Sequence, residues 1–324
     1  MCRQLEIHTR GPFHNLWGST RRACVVAMSD YIQEKALSCV SGFQLDPSTD
    51  AAADSTSLDP IDGFVVDSFF TPSECARLVQ AAESSGGFAF WDPVADAERR
   101  SVRNADTLEF EDSDFCAALW QRLAPFVPSK ALFTPDDEER YEPDLEGEWV
   151  ASGLNPHLLL NRYGSGGHFA PHADGSTLVD FNHRSLYTVL IYLNHCTDGG
   201  ATQLLDGSDG NTSTVDAQSG ARVARADAVV HTIRPELGRA LVYYHQTLHA
   251  GEPVGAGCAK YCLRTDVMYE RRPPICTEPK DVKAFELILE ARAKEAAGEP
   301  MEALPLYMRA KKLSAGIARA YRLS

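Results

Sequence analysis

The feature that most constrains the fold is a series of short apolar, β-type runs between residues 156 and 271. Gly-rich turns separate the runs, which recur roughly every 10–15 residues without the helical stretches that βαβ units need. The runs are residues 157–163, 186–194, 200–205, 228–234, 239–244 and 261–269. This pattern predicts a mainly β domain, an antiparallel sandwich or jelly roll (double-stranded β-helix).

Helix signals precede this β-rich region. Thr71-Pro72-Ser73-Glu74 combines a capping Thr, a Pro at the first helical position and a Glu three residues after the cap, which predicts a helix from Cys75 to about Ser84. A second helix, capped by Ser113, is expected to end near Leu123. Both helices would support the sheet.

Two amphipathic stretches, residues 281–296 and 300–312, follow the β-rich region and are hinged at Gly298-Glu299-Pro300. Their spacing resembles one helical hairpin of the tetratricopeptide type, and a single such unit cannot form a solenoid core. We expect it to pack on the main domain. The alternative is a module that docks a partner protein.

The chain therefore divides into four expected segments. These are a disordered N-terminal segment and linker (1–60), a support region of helices and strands (61–149), the jelly roll (150–272) and the helical hairpin (273–324). Within the support region, residues 128–148 are expected to form a surface loop. Within the jelly roll, residues 207–220 form a polar loop, which is long enough to be functional or disordered.

Composition limits the partners and the compartment. The chain has 31 basic and 45 acidic residues, a net charge of −14, which disfavours nucleic acids and anionic membrane surfaces as partners. Nine scattered cysteines without a C-x-x-C pair suit a reducing compartment. We expect a cytoplasmic protein, although the arginines within residues 1–28 leave organelle import open.

His172 and Asp174 form an H-x-D pair in which residues two apart would share one face of a strand. Non-haem iron(II) is typically held by two imidazoles and one carboxylate on one octahedral face. Alone the pair is weak, since an Asp that caps a Gly turn gives the same pattern. His231, His245 and His249 are the later histidines that could complete the set, and the sequence around His249 favours that residue.

Several further motifs, in order, resemble the 2-oxoglutarate- and iron(II)-dependent dioxygenases, specifically the prolyl 4-hydroxylase-like group. Tyr163 lies upstream of the H-x-D pair, as in that family. The strand Thr188-Val-Leu-Ile-Tyr192-Leu193-Asn194, the turn Gly199-Gly200-Ala-Thr202 and the stretch from His249 to Val254 match its other motifs. The resemblance covers about residues 62–272.

The resemblance implies a function and a set of cofactors. Fe(2+) would be bound by His172, Asp174 and His249, with 2-oxoglutarate and O2 as cosubstrates and L-ascorbate as the reductant. The protein would hydroxylate an unactivated C–H bond and convert 2-oxoglutarate to succinate. The resemblance favours a side chain of a protein or peptide, such as a prolyl side chain, as the substrate. A small-molecule hydroxylase is one alternative. A catalytically silent metal-binding jelly roll, acting through its C-terminal helices, is the other.

Two residues on one face of the same strand could supply the cation that binds the distal carboxylate of 2-oxoglutarate. Lys260 fits the family register better, whereas Arg264 offers a bidentate guanidinium. Other candidates are Tyr163 and Tyr192 for the cosubstrate, and His168, Leu190, His245 and Arg184 for the pocket or the substrate. Arg99, Arg100 and Arg103 are expected on a solvated loop, with the wall of a substrate channel as the alternative.

Overall fold

Two antiparallel sheets form the centre of the protein in a computed structural model that describes residues 42–46, 54–92, 96–137, 140, 142–208 and 210–323. The strands are β1 Ser55–Ser57, β2 Gly63–Val66, β3 Ala89–Phe90, β4 Arg103–Asn104, β5 Asp106–Glu111, β6 Lys130–Phe133, β7 Gly147–Leu154, β8 His157–Tyr163, β9 His168–His172, β10 Leu178–Asp180, β11 His183–Tyr192, β12 Thr202–Leu205, β13 Ser213–Val215, β14 Arg222–Ala224, β15 Val229–Ile233, β16 Ala240–Tyr244, β17 His249–Gly251 and β18 Lys260–Arg272.

The large sheet has the order β1-β2-β16-β11-β18-β8-β5-β3, and β6, β7 and β10 extend it. The small sheet has the order β15-β12-β17-β9-β4, and side chains from both sheets line one cavity. Strands that are neighbours in space but distant in the chain, such as β11 beside β18, are what a jelly roll requires. The predicted jelly roll is confirmed, and every strand-length run predicted in residues 157–269 contains a strand.

Helices flank the two sheets. In chain order the helices are α1 Pro72–Ser85, α2 Ala97–Val102, α3 Ser113–Leu123, α4 Pro279–Ala296, α5 Pro300–Leu313 and α6 Ala315–Ala320, with a short 3-10 turn at Ala226–Ala228. α1 has the predicted capping box between Thr71 and Glu74. Leu78 of α1 and Leu119 of α3 are fully buried in the main core together with Val189 and Leu263 of the central strands.

The C-terminal helices form the predicted hairpin and pack on the jelly roll. Phe285 of α4 contacts Phe181, from the turn between β10 and β11, with ring centroids 5.7 Å apart. Tyr321, after α6, packs on the same ring at 6.2 Å. The outward face of α5 stays exposed at Met301, Leu304 and Met308. The hairpin is therefore attached through one face only.

Two expectations about the support region are wrong. Residues 128–148 are not only a surface loop, because they contain β6 and the first residues of β7, and Leu145 is buried in the main core. The cap of α3 is Asp112, whose side chain accepts a hydrogen bond from the backbone N–H of Phe115 at 2.8 Å. Ser113 is instead the first helical residue.

The folded region begins earlier than the expected boundary at residue 61. β1 pairs with β2, and the ring of Phe43 packs edge-on against Phe115 at 5.3 Å. The 207–220 segment contains β13, which pairs in a small hairpin with β14, directly after the segment. The expected disorder of residues 1–41 and 47–53 lies outside the described residues.

No helix in the described part of the chain is long and apolar enough to span a membrane.

Candidate metal centre

Three side chains meet between the two sheets. His172 is the last residue of β9, Asp174 follows two residues later, and His249 is the first residue of β17. His172 and His249 are direct partners in the pairing of the two strands, with ring centroids 4.1 Å apart. The possible ligand atoms of all three residues lie within 4.8 Å of one another, which makes them the one candidate metal cluster among the residues described.

Each histidine ring is oriented by a hydrogen bond to a carbonyl two residues before it in the chain. The Nδ1 atom of His172 lies 2.8 Å from the Ala170 carbonyl oxygen, and that of His249 lies 2.9 Å from the Thr247 carbonyl oxygen. A carbonyl can only accept, so Nδ1 carries the proton and the lone pair is on Nε2. Both Nε2 atoms face Asp174, at 3.8 Å and 3.7 Å from its oxygens.

Asp174 is positioned by contacts from three other elements. Its Oδ2 atom accepts hydrogen bonds from the Thr188 hydroxyl at 2.8 Å and the Tyr243 hydroxyl at 3.0 Å. Its backbone N–H donates to the carbonyl oxygen of His245 at 2.9 Å. The Tyr243 hydroxyl also lies 3.0 Å from Nε2 of His249. Such outer contacts hold a ligand in place and typically matter for metal affinity.

The protonation states suit a divalent cation. Burial, and secondarily the neighbouring ring of His249, hold the pKa of His172 well below its usual value. Burial likewise lowers the pKa of His249. Burial alone would raise the pKa of Asp174, but Arg264 and the two histidines outweigh it and keep that pKa low. At neutral pH the site therefore offers two neutral imidazoles and one carboxylate, which is the deprotonated state that metal binding requires.

These donors fit iron(II). Two imidazole nitrogens and one carboxylate on one side of a pocket, with open space on the other side, form the facial arrangement of non-haem iron sites. The open side is a cavity of about 260 Å³ between the sheets, lined by residues of both.

Lys260, the first residue of β18, is a buried cation on the wall of this cavity and is only 4% exposed. Its Nζ atom lies 5.2 Å from the ring centre of Tyr163 and 5.4 Å from that of Tyr192. No ion pair joins it to a carboxylate of the described residues, and burial lowers its pKa. A buried ammonium without an anionic partner calls for an anionic ligand.

Arg264 lies on the same wall, but its guanidinium is already paired with carboxylates of the protein. Its Nη2 atom is 3.1 Å from Asp266 and 3.5 Å from the Oδ1 atom of Asp174. Asp266 is in turn held by the Thr177 hydroxyl at 2.9 Å. The two cations that the sequence left open thus have different surroundings, one unpaired and one between two carboxylates.

The other predicted pocket residues divide into two groups. Tyr163 and Leu190 line the cavity, and Tyr192 lies behind it, where its hydroxyl donates to the cavity-lining Thr202 at 2.8 Å. Three residues do not line the cavity: His168, His245 and Arg184.

Each of these three has a different role from the one expected. Both ring nitrogens of His168 lie 3.0 Å from backbone carbonyl oxygens, those of Gly166 and Ser101. Arg184 pairs with the buried Asp144 at 3.0 Å. The backbone carbonyl of His245 accepts a hydrogen bond from the Asp174 N–H, and its ring stacks on Tyr244 at 4.7 Å. All three were placed in the pocket by their position along the chain, which does not specify the direction of a side chain.

The structure also adds Thr188 and Tyr243 beside Asp174, which the sequence did not single out as site residues. It places Arg103 in the cavity wall, which was the stated alternative for that residue. Arg103 is 4% exposed and donates to the Asn161 side chain at 2.7 Å. The expectation of a solvated loop is therefore wrong for Arg103, because it lies in β4, which pairs with β9. Thr188 and Tyr243 both lie in predicted strands. The alternation of side chains between the two faces of a strand was the only feature of the sequence that could have placed them in the site.

Comparison with known proteins agrees with this geometry. Residues 158–265 match the family described as the 2OG-Fe(II) oxygenase superfamily. No curated protein sequence matches the chain.

Among solved structures, the similar ones include a viral collagen prolyl hydroxylase from Paramecium bursaria Chlorella virus-1 (17% identity, 66% of this chain and 99% of that chain, TM-score 0.39). They also include a Pseudomonas putida prolyl-4-hydroxylase, which is 14% identical; the match covers 66% of this chain and 95% of that chain, with a TM-score of 0.40. A third is a Trichoplax adhaerens prolyl hydroxylase in complex with a peptide of hypoxia inducible factor, which is 18% identical. The match covers 66% of this chain and 86% of that chain, with a TM-score of 0.41.

Proposed function

We propose that this protein, whose residues 158–265 match the 2OG-Fe(II) oxygenase superfamily, hydroxylates an unactivated C–H bond of a protein or peptide, with prolyl side chains as the first candidates. One observation carries the proposal. Two neutral imidazoles and one carboxylate converge on a cavity whose wall also holds the buried, unpaired Lys260. A metal site next to an anion site is what a 2-oxo acid with a second carboxylate needs.

Within the site, His172, Asp174 and His249 would hold Fe(2+). Bound iron supplies the activation of O2 that couples hydroxylation to the decarboxylation of 2-oxoglutarate. Lys260 would pair with the distal carboxylate of 2-oxoglutarate, and Thr202, held by Tyr192, lies in the same cavity wall. Tyr163 packs against the ammonium of Lys260 and keeps this part of the cavity dry.

The substrate would enter the remaining space in the cavity. Leu159, Phe169 and Leu190 give that space an apolar lining, which suits the pyrrolidine ring of a prolyl residue. The prolyl assignment itself comes from the motif resemblance. Ascorbate is proposed as the reductant that returns oxidised iron to Fe(2+) after turnover without substrate.

The test has two readouts. The purified protein is incubated with Fe(2+), ascorbate, O2 and 2-oxoglutarate, and succinate is measured with and without prolyl-containing peptides; mass spectrometry then looks for peptides that gain one oxygen atom. The proposal predicts a slow basal conversion to succinate that specific peptides stimulate. Asp174→Ala should abolish both, whereas the exposed Asp206→Ala should behave like the wild type.

The outcomes separate the alternatives. Basal turnover that no peptide stimulates, but a small molecule does, would favour a small-molecule hydroxylase. Metal binding without any conversion of 2-oxoglutarate would favour the catalytically silent jelly roll and would refute the proposed activity.

A further inference from the structure

Two turns pack together beside Lys260, and each carries a cysteine. The first turn, residues 194–201, follows β11, and the second, residues 252–259, leads into β18. The backbone N–H of Gly255 donates to Asp198 O at 2.8 Å, and that of Gly200 donates to Pro253 O at 3.1 Å. A bridge between Gly199 and Val254 adds to these contacts. The two turns therefore form one backbone unit.

The cysteines of these turns pack in one apolar cluster. Cys196 is buried at 6% exposure, and Cys258 lies near enough to contribute to the raised pKa of its thiol. Both side chains pack in the same apolar cluster as Val254 and Cys262. We propose that Cys196 and Cys258 are a redox modification site that forms a reversible disulfide when the protein meets a peroxide.

The two thiols differ in exposure, so they would react in different steps of the disulfide formation. Cys258 is partly exposed, so a peroxide can reach it. Cys196 is buried, which raises the pKa of its thiol and keeps it protonated until its partner reacts. An accessible thiol next to a second, resolving cysteine is the arrangement found in redox-sensing pairs. The turn of Cys258 contains Gly257 at φ +78°, a backbone conformation that glycine adopts without strain.

The reaction balances with hydrogen peroxide as the oxidant. The Cys258 sulfur, as its thiolate, attacks one peroxide oxygen, the O–O bond breaks and hydroxide leaves, giving a sulfenic acid. The Cys196 sulfur then attacks the Cys258 sulfur, the S–O bond breaks, and the hydroxyl leaves with the Cys196 proton as water. The two thiols lose two electrons in all, and the peroxide is reduced to two water molecules.

The disulfide would act on the cosubstrate pocket, a consequence that rests on the proposed function. Lys260 is two residues from Cys258. Gly200 separates its side chain from Cys196, since a Cβ atom placed at Gly200 would lie 3.1 Å from the Cys196 sulfur and 3.6 Å from Cδ of Lys260. A disulfide draws the sulfurs to about 2.05 Å, closer than two thiols in van der Waals contact. Closing the bond would therefore move the two turns, one of which leads directly into Lys260.

The first experiment detects the bond itself. A full-length variant with Cys2, Cys24 and Cys39 replaced by Ser is treated with hydrogen peroxide, alkylated, digested without reduction and mapped by mass spectrometry. We expect one cross-linked peptide pair, Cys196–Cys258, that dithiothreitol removes and Cys258→Ser abolishes. The matched control is Cys276, also partly exposed, which should be alkylated before and after treatment. Peroxide-treated protein in which Cys196 stays alkylatable, or pairs elsewhere, overturns the proposal.

The second experiment measures the effect on the pocket. The KM for 2-oxoglutarate should rise about tenfold or more on oxidation, because small displacements of a positioning group are costly, and Cys258→Ser should show no such change. An unchanged KM in the cross-linked protein would refute the link to Lys260 and leave the disulfide standing. A protein that forms the cross-link but never turns over 2-oxoglutarate would instead refute the proposed function.

Discussion

At the residue scale, two cations of one strand have different partners, and this difference decides which of them can bind 2-oxoglutarate. Lys260 and Arg264 share a face of β18, four residues or about 13 Å apart. Arg264 lies between Asp174 and Asp266, whereas Lys260 is buried without a carboxylate partner in the described part of the chain. Only Lys260 gains a partner when a dicarboxylate enters the cavity. It is therefore the proposed anchor of 2-oxoglutarate.

Lys260→Ala is expected to raise the 2-oxoglutarate requirement by about two to three orders of magnitude. The substitution leaves one buried carboxylate of the cosubstrate unpaired, which costs about 3–5 kcal/mol. Titration of 2-oxoglutarate against succinate formation checks this, and metal content should stay near that of the wild type. Lys260→Arg should recover part of the loss. Arg264→Gln is the comparison, and a larger KM increase in Arg264→Gln than in Lys260→Ala would contradict the assignment.

The pH dependence of metal binding tests the low pKa values of His172 and His249. Two histidines with the usual pKa of about 6.5 would bind metal about threefold less well at pH 6.5 than at pH 7.5, because protons compete for the imidazoles. Burial lowers both pKa values, so this competition starts only at lower pH. We expect the Mn(2+) affinity, measured from the free-ion EPR signal, to change less than about twofold across this range. A threefold loss would contradict buried, neutral histidines.

The sequence was informative about the ligands and much less so about the residues that position them. His172 and Asp174 form an H-x-D pair, and the order of the motifs around it, together with the family resemblance, indicated the metal ligands and Lys260. Tyr243 and Thr188 are ordinary strand residues, and they reach Asp174 only because β11 and β16 pair side by side in the large sheet. That neighbourhood is a property of the topology, so no local pattern reveals it.

At the scale of elements, strands were easier to predict than their supporting segments. The run 157–163 coincides with β8 because its apolar residues face buried layers on both sides of the sheet. β6 was missed because only four residues pair with β7, within a stretch rich in Pro and acidic residues. The cap of α3 was misplaced by one residue because Asp112 and Ser113 are both good capping residues, and the long-range contact of Asp112 decides between them.

Asp112→Ala is expected to lower the free energy of unfolding by about 1–3 kcal/mol. Asp112 accepts one hydrogen bond from Phe115 N–H, as the helix cap, and a second from Gly42 N–H at 2.7 Å, and both bonds are lost. Ser113→Ala is the matched control and should cost about 0.5 kcal/mol or less. Urea unfolding of the two variants measures the difference, and equal losses would contradict the assigned cap.

At the scale of the whole molecule, the C-terminal hairpin is attached to the jelly roll by an aromatic cluster. Phe181 supplies the contact from the β10–β11 turn, and Phe285 and Tyr321 supply it from the helical side. The sequence predicted both helices from their periodicity but not this contact, since nothing near Phe181 marks it as a docking residue. The exposed face of α5 has no neighbour among the described residues.

Phe285→Ala should destabilise the protein by about 3–5 kcal/mol, because the side chain is 4% exposed and leaves a cavity. Met308→Ala, on the exposed face of α5, should stay within about 0.5 kcal/mol of the wild type. Chemical denaturation gives both values, and limited proteolysis should cut the hairpin of the Phe285 variant first. A hairpin that resists proteolysis in that variant would show that its attachment lies elsewhere.

The most direct test of the central claim is anaerobic equilibrium binding of Fe(2+) and 2-oxoglutarate to the wild type, Asp174→Ala and Lys260→Ala. We predict one Fe(2+) and one 2-oxoglutarate per wild-type chain. Asp174→Ala should retain neither, because two ligands hold a labile divalent metal poorly and the 2-oxo acid binds through the metal. Lys260→Ala should keep the metal and lose the cosubstrate. Stoichiometric Fe(2+) in Asp174→Ala, or tight 2-oxoglutarate binding in Lys260→Ala, would contradict the account.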